Sequence, residues 1–111
     1  MIHQLRVYEI FERNQGAFHA RFRDHAMRIM RKYGFEFVGL WEAKTDRRTE
    51  FVYLLVWPDV ATKEAAWNQF RADDDWQDIK RVTNAQHGEL VGEIEDRVLV
   101  PTSYAPKVAI A

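Results

Sequence analysis

The sequence predicts an α+β fold in which helices cover one face of a four-stranded antiparallel sheet. Two patterns support this prediction. Four segments alternate apolar and polar residues as strands do, and two longer segments carry apolar residues at helical spacing. A third observation is their order, βαββαβ, in which each helix connects two strands of the sheet.

The first half of the chain contains a strand, a long helix and a hairpin. Residues 2–11 alternate as a strand, and Asn14 is placed to cap a helix that Gly34 ends. Residues 35–43 and 50–57 are two further strands joined by the polar turn KTDRRT. The helix has an apolar stripe that consists of Phe18, Phe22, Ala26, Ile29, Met30 and Tyr33.

The second half contains the remaining helices and the last strand. Pro58 ends the third strand, and Asp59 or Thr62 begins a helix that continues to about residue 72. Asp73 is the predicted cap of a short helix in DDDWQDIKRV, and NAQHGE is a predicted loop. Residues 90–100 form the final strand, and the prolines that follow it favour an extended tail.

Composition and charge restrict the class of protein. With 111 residues, of which 47% are hydrophobic, the chain is predicted to form a single ferredoxin-like domain spanning 1–111. The 16 basic and 17 acidic residues nearly balance, so neither a nucleic acid nor an anionic membrane is an expected partner. The sequence has no cysteine, which excludes disulfides and thiolate chemistry. It shows no signal-like or membrane-spanning segment, and we expect a cytoplasmic protein.

Alternation divides the sheet residues into an aliphatic and an aromatic set, and we predict that the helices cover the aliphatic set. Leaving several large aromatic side chains wet would forgo many kcal/mol, at about 25 cal/mol per Å². A second copy of the chain is the simplest cover. The aliphatic set is Leu5, Val7, Val38, Leu40, Val52, Leu54, Val56, Leu90, Ile94 and Val98. The aromatic set is Tyr8, Phe35, Phe37, Trp41, Phe51, Tyr53, Leu55 and Trp57, with Gln4, Arg6, Glu93, Glu95 and Arg97 among them.

These sets predict a homodimer in which two sheets stack about a two-fold axis and enclose an aromatic-walled space. The tail VPTSYAP is expected to lie across the partner, because Tyr104, Val108 and Ile110 are otherwise hard to place. The partner of the chain is therefore predicted to be a second copy of itself.

Several segments resemble the NIPSNAP family, within the group of dimeric α/β-barrel proteins. The matching segments are IHQLRVYEI, RFRDHAMRIMRKYGFEFVGLWEA, ADDDWQD and RVLVPTSYAP, which are spread over nearly the whole chain. The resemblance implies the ferredoxin-like plait and a homodimer, but little about activity. Tyr53 and Leu55 stand where strands of the family often carry His and Trp, so a role that rests on that histidine does not transfer.

The candidate site is a ligand pocket on the aromatic face. Arg6 is the expected anion anchor, because a guanidinium can hold a carboxylate with two donors and stack on an aromatic ring. Tyr8 and Tyr53 are the expected hydrogen-bond donors. The remaining candidate residues are Phe37, Trp41 and Trp57 as walls and Glu95 as a polar neighbour. The expected ligand is a small, flat, anionic or phenolic metabolite, and the sequence shows no cofactor motif.

Structural explanations compete with this hypothesis. Arg6 could pair with Glu93 or Glu95 as a buried ion pair that helps to fix the dimer. His25 is more simply a locally bonded histidine than an acid or base. The three aspartates at 73–75 are better explained by helix capping than by cation binding, and we expect no metal site.

Three functions remain open on the sequence. The favoured prediction is a protein that binds or transforms a small metabolite in the cavity, and the alternative is a structural or adaptor dimer without catalytic activity. An RNA-binding plait would stack bases on Tyr8, Phe51 and Tyr53. The balanced charge and the missing basic-aromatic octapeptide argue against RNA.

Overall fold

A computed structural model describes residues 1–107 of the chain. Its strands are β1 (Ile2–Ile10), β2 (Glu36–Lys44), β3 (Thr49–Trp57) and β4 (Val91–Leu99). Its helices are α1 (Gln15–Arg21), α2 (Met27–Lys32), α3 (Val60–Ala72) and α4 (Asp74–His87). The strands pair antiparallel in the order β2-β3-β1-β4, which confirms the predicted ferredoxin-like α+β fold.

The first helical segment presents its predicted apolar stripe to the sheet. A π-helical turn, Phe22–Ala26, joins α1 to α2, and a 3₁₀ turn, Glu12–Asn14, precedes them. Gly34 has a φ of 90°, which lets the Phe35 N–H donate to the Met30 carbonyl at 3.2 Å and ends the segment as predicted. The buried stripe comprises Phe18, Phe22, Ala26, Ile29 and Met30.

Two aspartates cap the later helices: Asp73 as predicted, and Asp59, which was one of two predicted starts. Asp59 accepts a hydrogen bond from the Thr62 N–H at 2.7 Å, and Asp73 accepts one from the Trp76 N–H at 2.8 Å. The Tyr33 hydroxyl also donates to Asp73 at 2.6 Å. The hydrogen bond from Tyr33 has the larger effect and the one from the Trp76 N–H the next largest, and together they hold the pKa of Asp73 below its usual value. Asp73 is therefore a structural cap, as the sequence predicted.

Two other boundary predictions were wrong. Asn14 makes no capping bond; its amide instead donates to the carbonyls of His87 and Glu89 at 3.0 and 2.9 Å, which ties the first helical segment to the end of α4. The predicted loop NAQHGE continues α4 as far as His87. The segment Asp74–His87 contains no glycine or proline. Gly88, with a φ of 78°, is therefore the first residue suited to end the helix.

The helices cover the aromatic residues of β1 and β3, so the predicted assignment of the faces was wrong for these two strands. In β2 and β4, the aliphatic residues Leu40, Ile94 and Val98 do lie on the helix side, opposite Tyr53, Tyr8 and Gln4. Tyr8, Phe51 and Tyr53 are at most 8% exposed and pack against helix rings such as Phe18 and Phe22. The aliphatic residues Leu5, Val7, Val52 and Leu54 pair across β1 and β3 on the other, uncovered face. A buried aromatic side chain removes about 150–250 Å² from water, so packing helices on this face buries more apolar surface than the alternative.

A β-bulge in β2 places Phe37 and Trp41 on opposite faces of the sheet, although strict alternation assigns them to the same face. The register shifts between Phe37 and Gly39, so Phe37 opposes Leu55 whereas Trp41 opposes Val52. Phe37 stays on the helix side, and Trp41 lies on the uncovered face with 53% of its surface exposed. One inserted residue reverses the face of every residue after it, which is why strict alternation misplaced Trp41.

The C-terminal segment turns after β4. The Ala105 N–H donates to the Thr102 carbonyl at 3.1 Å, and Tyr104 between them is 85% exposed. Val108 and Ile110, which we predicted to contact a partner, lie outside the described residues. Over residues 1–107, no helix combines the length and the apolar character needed to cross a bilayer.

Candidate functional site

A cavity of about 420 Å³ lies on the helix side of the sheet, between β1, β4 and the helices α1, α3 and α4. Its walls are largely aromatic: Tyr8 comes from β1, Trp67 and Phe70 from α3, and Trp76 from α4. Among residues 1–107, its charged lining consists of Arg6, Arg21, Arg71, Lys80 and one carboxylate, Glu89. The cavity therefore combines flat apolar walls with an excess of positive charge.

Arg6 is buried at the sheet end of this cavity with most of its donors in use. Its Nη2 donates to the Tyr8 hydroxyl at 3.0 Å, and its Nε to the Tyr53 hydroxyl at 3.4 Å. Its Nη1 lies 3.3 Å from a carboxylate oxygen of Asp96, and the guanidinium sits 4.4 Å from the ring centroid of Trp67. Because a guanidinium has five N–H groups, two remain for a ligand as far as residues 1–107 are concerned.

The predicted pairing of Arg6 with Glu93 or Glu95 was wrong. Arg6 opposes Asp96 in the β1–β4 register, and opposed residues share a face of the sheet. Glu93 and Glu95 lie on the uncovered face, where their carboxylates are 3.5 and 3.8 Å from Arg48. Glu95 is therefore separated from the Arg6 cavity by the sheet.

Tyr8 and Tyr53 meet at the base of the cavity, with their hydroxyl oxygens 2.6 Å apart. Burial, and then the proximity of Tyr8, raise the pKa of Tyr53 well above its usual value, although Arg6 opposes this shift. Burial alone would lower the pKa of Arg6, but the two tyrosine oxygens more than offset it and the pKa is raised. Near neutral pH, Arg6 is therefore a cation and the buried phenol of Tyr53 is neutral, with Tyr8 beside them.

Gln4 holds the aromatic wall behind Arg6. Its Oε1 accepts hydrogen bonds from the indole N–H groups of Trp57 and Trp67, at 2.9 and 2.8 Å. Its Nε2 donates to Asp96 at 2.9 Å, so the amide links the Trp67 ring to the carboxylate that pairs with Arg6. Sequence reasoning missed this role. A glutamine on the strand face that also carries Ile2 and Ile10 was the available signal, because buried amides are hydrogen-bonded.

The cavity residues supplied by the helices were also missed. Arg21 is buried, donates to the Asn84 side chain at 3.0 Å and lies 5.5 Å from the Trp76 ring centroid. Burial lowers its pKa, against the opposing effect of Glu89. Its position three residues after Phe18 on the inward stripe was the signal, because a cation on such a stripe needs a reason to be buried.

Two further cations stand at the mouth of the cavity. Arg71 and Lys80 are exposed, and neither forms an ion pair with any carboxylate of residues 1–107. Arg71 lies 5.2 Å from the ring centroid of Trp67. Solvated lysine and arginine side chains are common on helices, so the sequence did not distinguish these two from the rest.

The other predicted wall residues lie elsewhere. Trp57 is buried behind the cavity, 4.9 Å from the ring centroid of Phe35. Phe37 is half-buried near Arg31 on the same side of the sheet but away from Arg6, and Trp41 is on the other face. Thus, of the seven predicted residues, Arg6 and Tyr8 line the cavity and Tyr53 supports them from behind.

Two histidines have local side-chain partners in the described part of the chain. His25 is 3.1 Å from Arg28 through its Nδ1, which agrees with a locally bonded histidine, and His19 is 3.1 Å from Glu42. Within residues 1–107, no three His, Asp or Glu side chains are grouped so as to hold a metal ion.

Comparisons with known proteins agree on the family. The NIPSNAP family profile matches residues 3–106. A NIPSNAP-like domain protein from Burkholderia xenovorans superposes with a TM-score of 0.79 at 18% identity, covering 98% of this chain and 91% of its own. A NIPSNAP family protein from Agrobacterium tumefaciens has a TM-score of 0.80 at 16% identity, covering 95% and 96%. No curated protein matches the sequence.

A further solved structure shares the fold at lower similarity. A putative antibiotic biosynthesis monooxygenase from Nitrosomonas europaea has a TM-score of 0.60 at 14% identity, with 94% of this chain and all of the other covered. Structural likeness at such identities concerns the fold alone. The family profile, in contrast, extends over nearly the entire sequence, and the chain belongs to the NIPSNAP family.

Proposed function

We propose that this protein binds a small, flat, anionic metabolite in the helix-side cavity. The observation that carries the proposal is the combination of aromatic walls with four cationic side chains and one carboxylate among residues 1–107. Aromatic faces accept a planar apolar body, and guanidinium groups hold a carboxylate or phenolate oxygen. The volume of about 420 Å³ is within the range of small-molecule sites, roughly 300–1,000 Å³.

The positive charge that lines the cavity is less neutralised by carboxylates at the mouth than at the base. At the base, Arg6 is partly neutralised by Asp96 at 3.3 Å. At the mouth, Arg71 and Lys80 have no such partner among residues 1–107, so an arriving anion meets uncompensated charge first. A cleft lined by one sign of charge raises the local concentration of ligands of the opposite sign. This arrangement favours an anionic ligand over a neutral one of the same shape.

Aromatic carboxylates are therefore expected to bind, and salicylate is a suitable probe. In Arg71→Gln its affinity should fall by about fivefold, because an exposed charge contributes up to about 1 kcal/mol. Isothermal titration calorimetry measures this effect. Arg47→Gln is the matched control, because Arg47 is an exposed arginine in the β2–β3 turn, remote from the cavity. Salicylamide, which lacks the charge, should bind more weakly; equal binding of salicylate and salicylamide would contradict the proposal.

The buried position of the sheet aromatics counts against RNA binding. Tyr8, Phe51 and Tyr53 are covered by α1 and its continuation, so they offer no open surface for stacking bases. The alternative that retains support is a structural or adaptor dimer. It differs from our proposal in predicting no selective binding of aromatic anions.

We also infer that the uncovered sheet face is the contact of a homodimer. This face carries the aliphatic residues Leu5, Val7, Val52 and Leu54, together with the half-exposed Trp41. Arg48 at one end of this face pairs with glutamates of its own chain, so the charges there are compensated and do not oppose contact between two copies. The inferred contact is the aliphatic face, whereas the sequence had suggested the aromatic one.

The dimer has a direct test in Trp41→Asp. Because Trp41 is 53% exposed in the single chain, the aspartate should be tolerated in a monomer but not when buried against a partner. We expect the wild type to have a dimeric mass by light scattering at micromolar concentration and the variant to be monomeric and folded. Val82→Asp on α4, where Val82 is 41% exposed, is the control and should remain dimeric. A monomeric wild type would overturn the inference.

A further inference from the structure

Which group donates in each hydrogen bond among Arg6, Tyr8 and Tyr53 follows from the donors and acceptors that each side chain has. A guanidinium only donates, whereas each phenol has one O–H and can also accept. Tyr53 is 0% exposed, so its proton needs an acceptor inside the protein. Among residues 1–107, its hydroxyl contacts Arg6, which cannot accept, and the Tyr8 oxygen at 2.6 Å. Tyr53 therefore donates to Tyr8.

This direction leaves the proton of Tyr8 without an acceptor in the network. The Tyr8 oxygen already accepts from Tyr53 and from Arg6, whose Nη2 is 3.0 Å away. These two bonds use both lone pairs of the oxygen. Tyr8 also lines the cavity, which Tyr53 does not. A hydroxyl whose oxygen accepts two hydrogen bonds, one of them from a cation, is polarised into a stronger donor.

We propose that Tyr8 donates this hydrogen bond to a ligand oxygen that carries negative charge as a phenolate or enolate. Within the proposed function, this assigns the ligand class of the inner end of the cavity: Tyr8 is a binding residue and Tyr53 a positioning residue. A phenolic ligand loses its proton to solvent on binding, and Tyr8 keeps its own. The unused donors of Arg6 beside it stabilise the same oxygen.

The probe for this inference is 4-nitrophenol, whose absorption spectrum reports directly whether it is ionised. With saturating wild-type protein, the pKa of the bound probe should fall by about one unit, a tenfold change in its ionisation equilibrium. In Tyr8→Phe most of this shift should disappear. In Tyr53→Phe it should fall to about half, because Tyr8 loses one of its two supporting donors. Tyr104→Phe, at the exposed tail tyrosine, should leave the shift unchanged.

The outcomes separate the inference from the proposed function. Failure of salicylate to bind the wild type would remove the proposed function and the inference with it. If salicylate binds but 4-nitrophenol does not, or binds with the same ionisation in the wild type, Tyr8→Phe and Tyr53→Phe, the inference alone is overturned. Thermal melting shows whether each variant is folded. If either Tyr8→Phe or Tyr53→Phe is unfolded, the pKa of the probe bound to the other variant tests the inference.

Discussion

Replacing Gln4 with leucine is expected to lower the free energy of unfolding by about 3 kcal/mol, because each buried donor left unsatisfied costs about 1–3 kcal/mol. Gln4 is 1% exposed, and its Oε1 accepts from both Trp57 and Trp67. Leucine has a similar volume but accepts no hydrogen bond. The two indole N–H groups would then be buried without partners, and urea denaturation measures the loss.

Two comparisons make this result specific. Gln86→Leu on α4, at an exposed position, should change the unfolding free energy by about 0.5 kcal/mol or less. In a Trp57→Phe background one of the two donors is already absent, so Gln4→Leu should cost about 1–2 kcal/mol less than in the wild type. A Gln4→Leu variant as stable as the wild type would show that the shared acceptor contributes nothing.

Arg6→Met is expected to weaken salicylate binding about 10- to 100-fold, since a hydrogen bond to a charged group contributes about 1.5–3 kcal/mol and each 1.4 kcal/mol is tenfold. Methionine keeps much of the apolar stem that packs near Trp67 but has no N–H group and no charge. The variant should also lose about 2 kcal/mol of stability, because Tyr53 loses a donor. The carboxylate of Asp96 is 40% exposed and can be solvated instead.

Arg48→Met separates loss of binding from loss of stability. The side chains of Arg6 and Arg48 are both 10% exposed, but Arg48 pairs with Glu50 on the opposite face of the sheet. Arg48→Met should therefore reduce stability while salicylate affinity stays as in the wild type. If Arg6→Met remains folded and binds every aromatic carboxylate as tightly as the wild type, Arg6 serves only to hold Tyr8, Tyr53 and Asp96 in place.

The candidate site was only partly accessible to sequence reasoning. Arg6 and Tyr8 were identifiable because a cation and a phenol alternate with aliphatic residues along one strand. Arg21, Arg71 and Trp76 were not, because they come from separate helices whose relative placement depends on packing. Glu95 was wrongly included, since the choice between Glu95 and Asp96 depends on a register that a shift near Tyr8 alters.

The order of the strands and helices along the chain and the cap at Asp73 were predictable from the sequence, because these depend on contacts within a few residues. For the helix after Pro58 the sequence left Asp59 and Thr62 open, and the structure makes Asp59 the cap. Which face of the sheet the helices cover follows only from the packing of the whole chain, because an alternation with period two is compatible with burial of either face. The opposite positions of Phe37 and Trp41 result from a bulge next to Gly39, and this glycine inside a strand pattern was the available local signal. The pairing of Arg6 with Asp96 was not predictable from local sequence. The cavity depends on this packing, because its walls come from strands and helices that are far apart in the chain. These elements come together when the aromatic face of the sheet is buried under the helices.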